Sequence, residues 1–193
     1  MQTTSIYIEL VIIGAEALTW IFTIFALIDA RVISVLKNGL SSIPIAVILL
    51  GLCYVVGMVF DRIADWIFKK FEQKIRAKQE IPKNVIGHLL FVKTNDEQYF
   101  NYITSRKRIV RGTALNVLPI SIALALYLLI HHLSTAVAVA IILCGVIFFI
   151  LCLITYHQII VSYYKRVKRY IAAEKKNTVV AASELQQKGR APD

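Results

Sequence analysis

Four apolar runs decide what this chain can become. They cover Ile6–Ile28, Ile43–Phe68, Thr113–Ile130 and Thr135–Ile160. Each approaches or exceeds the ~20 residues that an α-helix needs to cross ~30 Å of hydrocarbon. In that medium every backbone amide must find its partner within the protein, which leaves helices or a closed barrel. A barrel would need alternating strands and many turns, yet the sequence has only eight glycines. With 58% hydrophobic residues among 193, the chain cannot clothe itself in a soluble surface. The expectation is an all-α integral membrane protein with four transmembrane helices. Its parts are a first hairpin over 1–68, a basic connection over 69–112, a second hairpin over 113–164, and a basic helical extension with a disordered tail over 165–193.

No Lys or Arg precedes the first run, and it is too long for the apolar region of a secretory signal, so it reads as a retained helix. Orientation follows from the basic residues in the connections. Residues 69–111 hold eleven of the 22 and residues 165–190 hold eight, whereas 31–42 hold two and 131–135 none. Basic connections stay in the cytoplasm, so both termini and the long connection are expected there. The net charge of +10 is therefore one-sided, suited to anionic lipids or to the acidic surface of a protein partner.

The second run leaves the membrane carrying Asp61, Arg62 and Asp65, after about sixteen apolar residues from Ile45 to Phe60. Spacings of three and four let these charges share a helical face, either as an ion pair within the protein or as a docking site at the membrane surface. Trp66, Lys69 and Lys70 form the aromatic and basic collar of the exit. Beyond it, Phe68, Phe71 and Ile75 recur at three and four while Lys69, Lys70, Lys74, Arg76 and Lys78 cover the other faces. That pattern predicts a basic amphipathic extension stopped by Pro82. Asn84–Val92 is a short apolar run whose periodicity does not choose between strand and loop. Thr94 to Glu97 reads as a helix start.

In the first helix, Glu9, Glu16 and Trp20 recur at seven and four residues and so line one face. Glu16 lies about 10 Å deeper than Glu9. Two readings stay open for it, an interhelical hydrogen bond and a proton- or ion-sensitive group in a pore or multimer interface. Asp29 and Arg31 close this helix, and 31–40 has the spacing of a short amphipathic turn along the outer surface, ended by Asn38 and Gly39.

Tyr99 to Gly112 sets aromatics beside Arg106, Lys107, Arg108 and Arg111. Nucleic-acid surfaces use such residues, but this cluster abuts a membrane helix, which favours lipid or protein contact over direct nucleic-acid binding. Asn116 offers a cross-helix hydrogen bond, and Pro119 predicts a kink. His157 is either a titrating group or a packing residue, and His131 with His132 forms a pair in the outer turn. Lys165, Arg166, Lys168 and Arg169 continue the fourth helix as a second collar, with the helical signal weakening after Asn177 and disorder expected from Gln186. Cys53, Cys144 and Cys152 all lie in apolar runs, where they serve as small packing residues.

Glu9, Glu16, Asp61, Arg62, Asp65, Arg111, Asn116 and His157 all fall in the same half of the bundle or at its edge. The outer half is almost purely apolar. No Gly-rich phosphate loop, paired-His metal motif, Cys-x-x-Cys or Gly-x-Ser-x-Gly elbow is present. The expectation is accordingly no catalytic residue, no metal and no cofactor.

Tyr54-x-x-Gly57-x-x-x-Asp61-Arg62-x-Ala64-Asp65 and Ser105-Arg-x-Arg108-Ile-x-Arg111-Gly112-x-Ala-Leu-Asn116 resemble patterns in small bacterial four-helix inner-membrane proteins. In size and topology the chain is also similar to the membrane subunit of the Kiwa antiphage system. That resemblance implies sensing of envelope disturbance and recruitment of a cytoplasmic partner. Together these features lead to a non-enzymatic, homo-oligomeric inner-membrane protein that senses membrane state and docks a soluble protein, with antiphage defence as one setting. The alternatives are a small multimeric ion channel or depolarising effector and, further off, a membrane transporter or lipid-handling enzyme.

Overall fold

The computed structural model describes residues 2–29, 31, 32, 34, 42–81, 91, 96–131 and 134–188, with side chains described between 6 and 174. Most of the turn expected over 31–40, Pro82, the 84–92 run apart from Phe91, Thr94, His132 and the final residues 189–193 lie outside the described residues.

Four helices account for nearly all of it: α1 (Gln2–Ile28), α2 (Ile43–Lys78), α3 (Glu97–Ile130) and α4 (Thr135–Lys188). All four are long and apolar enough to cross a membrane. The 36 residues of α2 reach about 54 Å and the 54 of α4 about 81 Å, well beyond the hydrocarbon thickness. The boundaries drawn from sequence at 68, 112 and 164 therefore fall inside unbroken helices. The weakened signal after Asn177 does not end α4, which continues to Lys188.

Local chemistry sets the ends. Pro44 occupies the first turn of α2, where its missing N–H costs nothing. The helix stops at Lys78, with Gln79 bonding back to Ile75 and Glu80 adopting φ 57°, the left-handed conformation that closes many helices. At the other end of the bundle, the Asp29 carboxylate accepts from the Arg31 amide at 2.9 Å just after α1. Asp96 occupies the N-cap position of α3 but makes no side-chain capping bond; its carboxylate is taken by α4 instead. Pro119 is accommodated within a continuous α3.

The helices pack in the order α2–α1–α3–α4, and α2 meets α4 over a short stretch only. Small residues allow the close approaches. Gly14 and Gly57 face each other at the α1–α2 crossing, Gly112 accepts Ile13 of α1 against α3, and Gly145 receives Ser121 where α3 meets α4. Without a hydrophobic driving force between helices in lipid, such close packing is a main source of cohesion.

One end of the bundle carries the ion-pair network and is the charged end; the other, at Ile28, Ile43, Ile130 and Thr135, is the end of the apolar spans and is called the apolar end. At the charged end the predicted 3–4 spacing of α2 holds in part: Phe68 and Ile75 are buried while Phe71 is exposed, and the Phe68 ring lies 4.8 Å from that of Tyr156. Phe91 is wholly buried among the rings of Tyr99, Phe100, Tyr163 and Tyr170, at centroid distances of 5.4–6.0 Å.

Candidate functional site

The expected face of α1 exists, and α3 is what it meets. Glu9 is 3% exposed; one carboxylate oxygen accepts from Ser105 and the other from Arg108 at 2.9 Å. Glu16, two turns deeper, accepts from the Thr113 hydroxyl at 2.9 Å. One turn further, Trp20 donates its indole N–H to Asn116 Oδ1 at 3.3 Å. Asn116 is fully buried and returns its amide to the Ile13 carbonyl at 3.2 Å, so both ends of its side chain bridge α3 to α1. The second oxygen of Glu16, Oε2, is buried with no hydrogen-bond partner among the described residues.

A second set of links joins α3 to α2. Arg111 bonds Asp61 at 2.8 Å and also bonds Asp65. Arg108 Nε adds a looser pairing with Asp61 at 3.6 Å. Asp61 and Asp65 are four apart and share the face turned to α3. Arg62, one residue from Asp61, is rotated about 100° away; it is exposed and enters no ion pair among the described residues. The three charges expected to share a face thus divide, two toward α3 and one outward. His157 is exposed as well, its ring edge-on to Phe71 at 6.2 Å, apart from the network.

The two basic collars divide in the same way. Lys107 pairs with Glu72 at 2.5 Å, and Tyr164 donates to the other Glu72 oxygen at 3.3 Å. Arg166 binds Asp96 at 2.8 Å while its guanidinium lies 3.8 Å from the Tyr99 ring centre, and Tyr170 donates to the same Asp96. Lys168 reaches Glu80 at 3.3 Å, both well exposed. Arg106 projects outward over Tyr102, 4.5 Å from its ring centre. Lys69, Lys70, Lys74, Lys165 and Arg169 are exposed and enter no ion pair among the described residues.

Between α2, α3 and α4 these side chains enclose a cavity of about 350 Å³. Its wall carries Arg76, Lys107, Arg108 and Arg111 together with Asp65 and Glu72. A second cavity of about 440 Å³, almost wholly apolar, lies toward the other end between α1, α2 and α3 and is bordered by Leu18, Phe22, Cys53 and Tyr127. Among the described residues no cluster suited to a metal occurs.

The sequence pattern does not single out Glu72, Thr113 or Gly14. One signal for the α3 stripe is nonetheless present: Ser105, Arg108, Arg111 and Asn116 recur near helical spacing and run from the charged segment into the apolar one.

Fold and site together define an all-α chain with four helices long and apolar enough to cross a membrane, joined at one end by partly buried ion pairs. No protein-family model, no curated protein and no solved structure matches it.

Proposed function

We propose that this chain is a homo-oligomeric bacterial inner-membrane protein, without catalytic activity of its own, that couples the state of the bilayer to a soluble partner docked on its charged end. In this reading the charged end and both termini face the cytoplasm, as the basic residues favour. The observation that carries the proposal is the way α1 is held. Among the described residues it packs on α2 and α3 but not on α4, and the hydrogen bonds of Glu9, Glu16 and Trp20 described above run to α3. Toward the apolar end it borders the 440 Å³ cavity, which leaves room for displacement there. A change in bilayer thickness or lateral pressure that moves α1 is passed to α3 through Glu9–Arg108 and Asn116, and α3 and α4 carry it into the aromatic assembly around Phe91. The size and topology shared with the Kiwa membrane subunit suggest antiphage defence as a setting.

The docking surface is supplied by exposed cations that enter no ion pair among the described residues: Lys69, Lys70 and Lys74 on α2, Arg106 on α3, Lys165 and Arg169 on α4. Arg108 and Arg111 are engaged in internal pairs and do not serve this role. Affinity purification from the native host in mild detergent tests the reading. A defined multimer should carry a soluble partner, and Lys69→Glu with Arg169→Glu should release that partner while the protein stays in the membrane. Undiminished capture by the reversed variant would count against it.

A second reading, a small multimeric channel, is favoured by one observation: the buried Glu16 oxygen that has no hydrogen-bond partner among the described residues, within an apolar span. Ion flux through reconstituted protein that changes on Glu16→Gln would support it, and absence of flux from any reconstituted oligomer would dismiss it.

A further inference from the structure

We infer that the cavity between α2, α3 and α4 is a binding site for a phosphate group. This is independent of the partner-docking proposal, since it concerns side chains that face inward.

The charge network as a whole is balanced, with Glu9, Asp61, Asp65 and Glu72 against Arg76, Lys107, Arg108 and Arg111. Its distribution is not. Glu9 and Asp61 stand outside the cavity wall and hold Arg108 and Arg111 from the α1 and α2 sides. The wall itself presents four cations to two carboxylates. A group inside therefore meets an excess of positive charge from two helices. Donors converge there as well. Arg111 retains a buried Nε–H without a hydrogen-bond acceptor among the described residues, whereas Arg108 Nε stands 3.6 Å from Asp61. The Thr104, Tyr163 and Tyr164 side chains also line the space.

Guanidinium and ammonium groups lining one cavity suit a ligand with several anionic oxygens, and phosphate supplies them in a compact tetrahedron. Room is adequate: 350 Å³ corresponds to roughly ten waters at about 30 Å³ each, enough for a phosphate and a small attached group. Ile103, Ile160 and Val167 give the rest of the wall an apolar character that suits such an attachment.

Access favours the side away from the apolar spans. Tyr156 lies one turn closer to the apolar end than Ile160, and Phe68 packs on it at 4.8 Å with Phe71 at 6.0 Å. Soluble molecules and lipid headgroups both bear phosphate, and the two share this chemistry.

The test uses the full-length protein in an uncharged detergent. Sodium phosphate, sodium pyrophosphate, and dihexanoylphosphatidic acid with dihexanoylphosphatidylcholine as matched control are each titrated at constant ionic strength, reading the unfolding midpoint and the binding isotherm. Binding of the soluble anions identifies a water-soluble ligand; binding of phosphatidic acid alone identifies a headgroup. Both uphold the site, provided that Lys107→Gln and Arg76→Gln, each verified as folded by circular dichroism, weaken binding about tenfold or more while Lys165→Gln on the exposed collar does not. No response to any of the three phosphates relative to chloride and to the phosphatidylcholine control, or an equal loss in Lys165→Gln, overturns it.

Discussion

Gly14 and Gly57 stand face to face where α1 crosses α2, each against the other helix's backbone. A Cβ at Gly14 would fall 1.7 Å from the Cys53 carbonyl oxygen and 2.9 Å from the Gly57 nitrogen; one at Gly57 would fall 1.9 Å from the Leu10 carbonyl oxygen. The obstructing atoms are main chain, so no rotamer change relieves them. Gly14→Ala or Gly57→Ala must push the helices apart and forfeit the packing that holds them, at a cost of about 1–3 kcal/mol. Equilibrium unfolding in detergent checks this, and wild-type stability in both variants would show that the crossing is looser than described.

Gly145 offers a contrast within the same fold. A Cβ there would lie 2.0 Å from Ser121 Oγ and 2.5 Å from Ser121 Cβ, both side-chain atoms. Gly145→Ala should therefore destabilise the α3–α4 contact, and adding Ser121→Gly should restore much of the loss. For Gly14→Ala no side-chain deletion on α2 can do the same. A double-variant cycle measures the coupling between 121 and 145, and purely additive effects would contradict the contact.

Arg111 bridges two carboxylates of α2 from α3 and is 8% exposed. Removing its side chain leaves Asp61 poorly compensated, since Arg108 stands 3.6 Å away. Loss of one partner from a buried pair costs about 3–5 kcal/mol. Arg111→Ala should fall in that range, and Arg111→Lys should recover only part of it, because a single ammonium cannot span both carboxylates as the planar fork does. Asp65→Asn should matter less than Asp61→Asn, since the Asp65 side chain is 53% exposed and that of Asp61 16%. Thermal unfolding of the four variants under one condition tests the ranking.

The four spans were legible because hydrocarbon imposes length and apolarity on each helix separately. The Glu9–Glu16–Trp20 face and the cross-helix role of Asn116 were legible for a related reason: periodicity within one helix tells which residues point together. What periodicity cannot supply is the partner on another helix. Asp61 and Asp65 find Arg111 some fifty positions away, and the spacing that grouped them with Arg62 on one face does not survive once α3 competes for the two carboxylates. Gly14 escaped notice because a glycine in an apolar run carries no chemical signal until a second backbone is laid on it. Phe91 belongs to a run whose period was ambiguous, and only the rings around it show that it is core. The basic collars read as uniform surfaces, yet Lys107, Arg108, Arg111 and Arg166 turn to carboxylates of neighbouring elements while Lys69, Lys70 and Arg169 remain outside.

The two glutamates of α1 should respond oppositely to neutralisation, although they share a face. Both oxygens of Glu9 are engaged, one with Ser105 and one with Arg108, and Glu9→Gln leaves the Arg108 guanidinium with Asp61 at 3.6 Å as its remaining ion-pair partner. Because Arg108 is 20% exposed on its side chain, the loss belongs at the low end of the buried-pair range, about 3 kcal/mol. Glu16 differs in that one oxygen accepts from Thr113 and the other is buried with no hydrogen-bond partner among the described residues. Gln keeps the first acceptor and replaces the unsatisfied oxygen by an amide that is no worse placed, so the penalty of an unmet polar group is already present in the native protein. Glu16→Gln should change stability by no more than about 1 kcal/mol, and a gain is the more natural sign because a charge leaves an apolar span. Unfolding free energies of the two variants in one detergent decide the matter. A large loss for Glu16→Gln would mean that Oε2 has a partner in the assembled protein, which would place a second copy of the chain or a bound cation against α1.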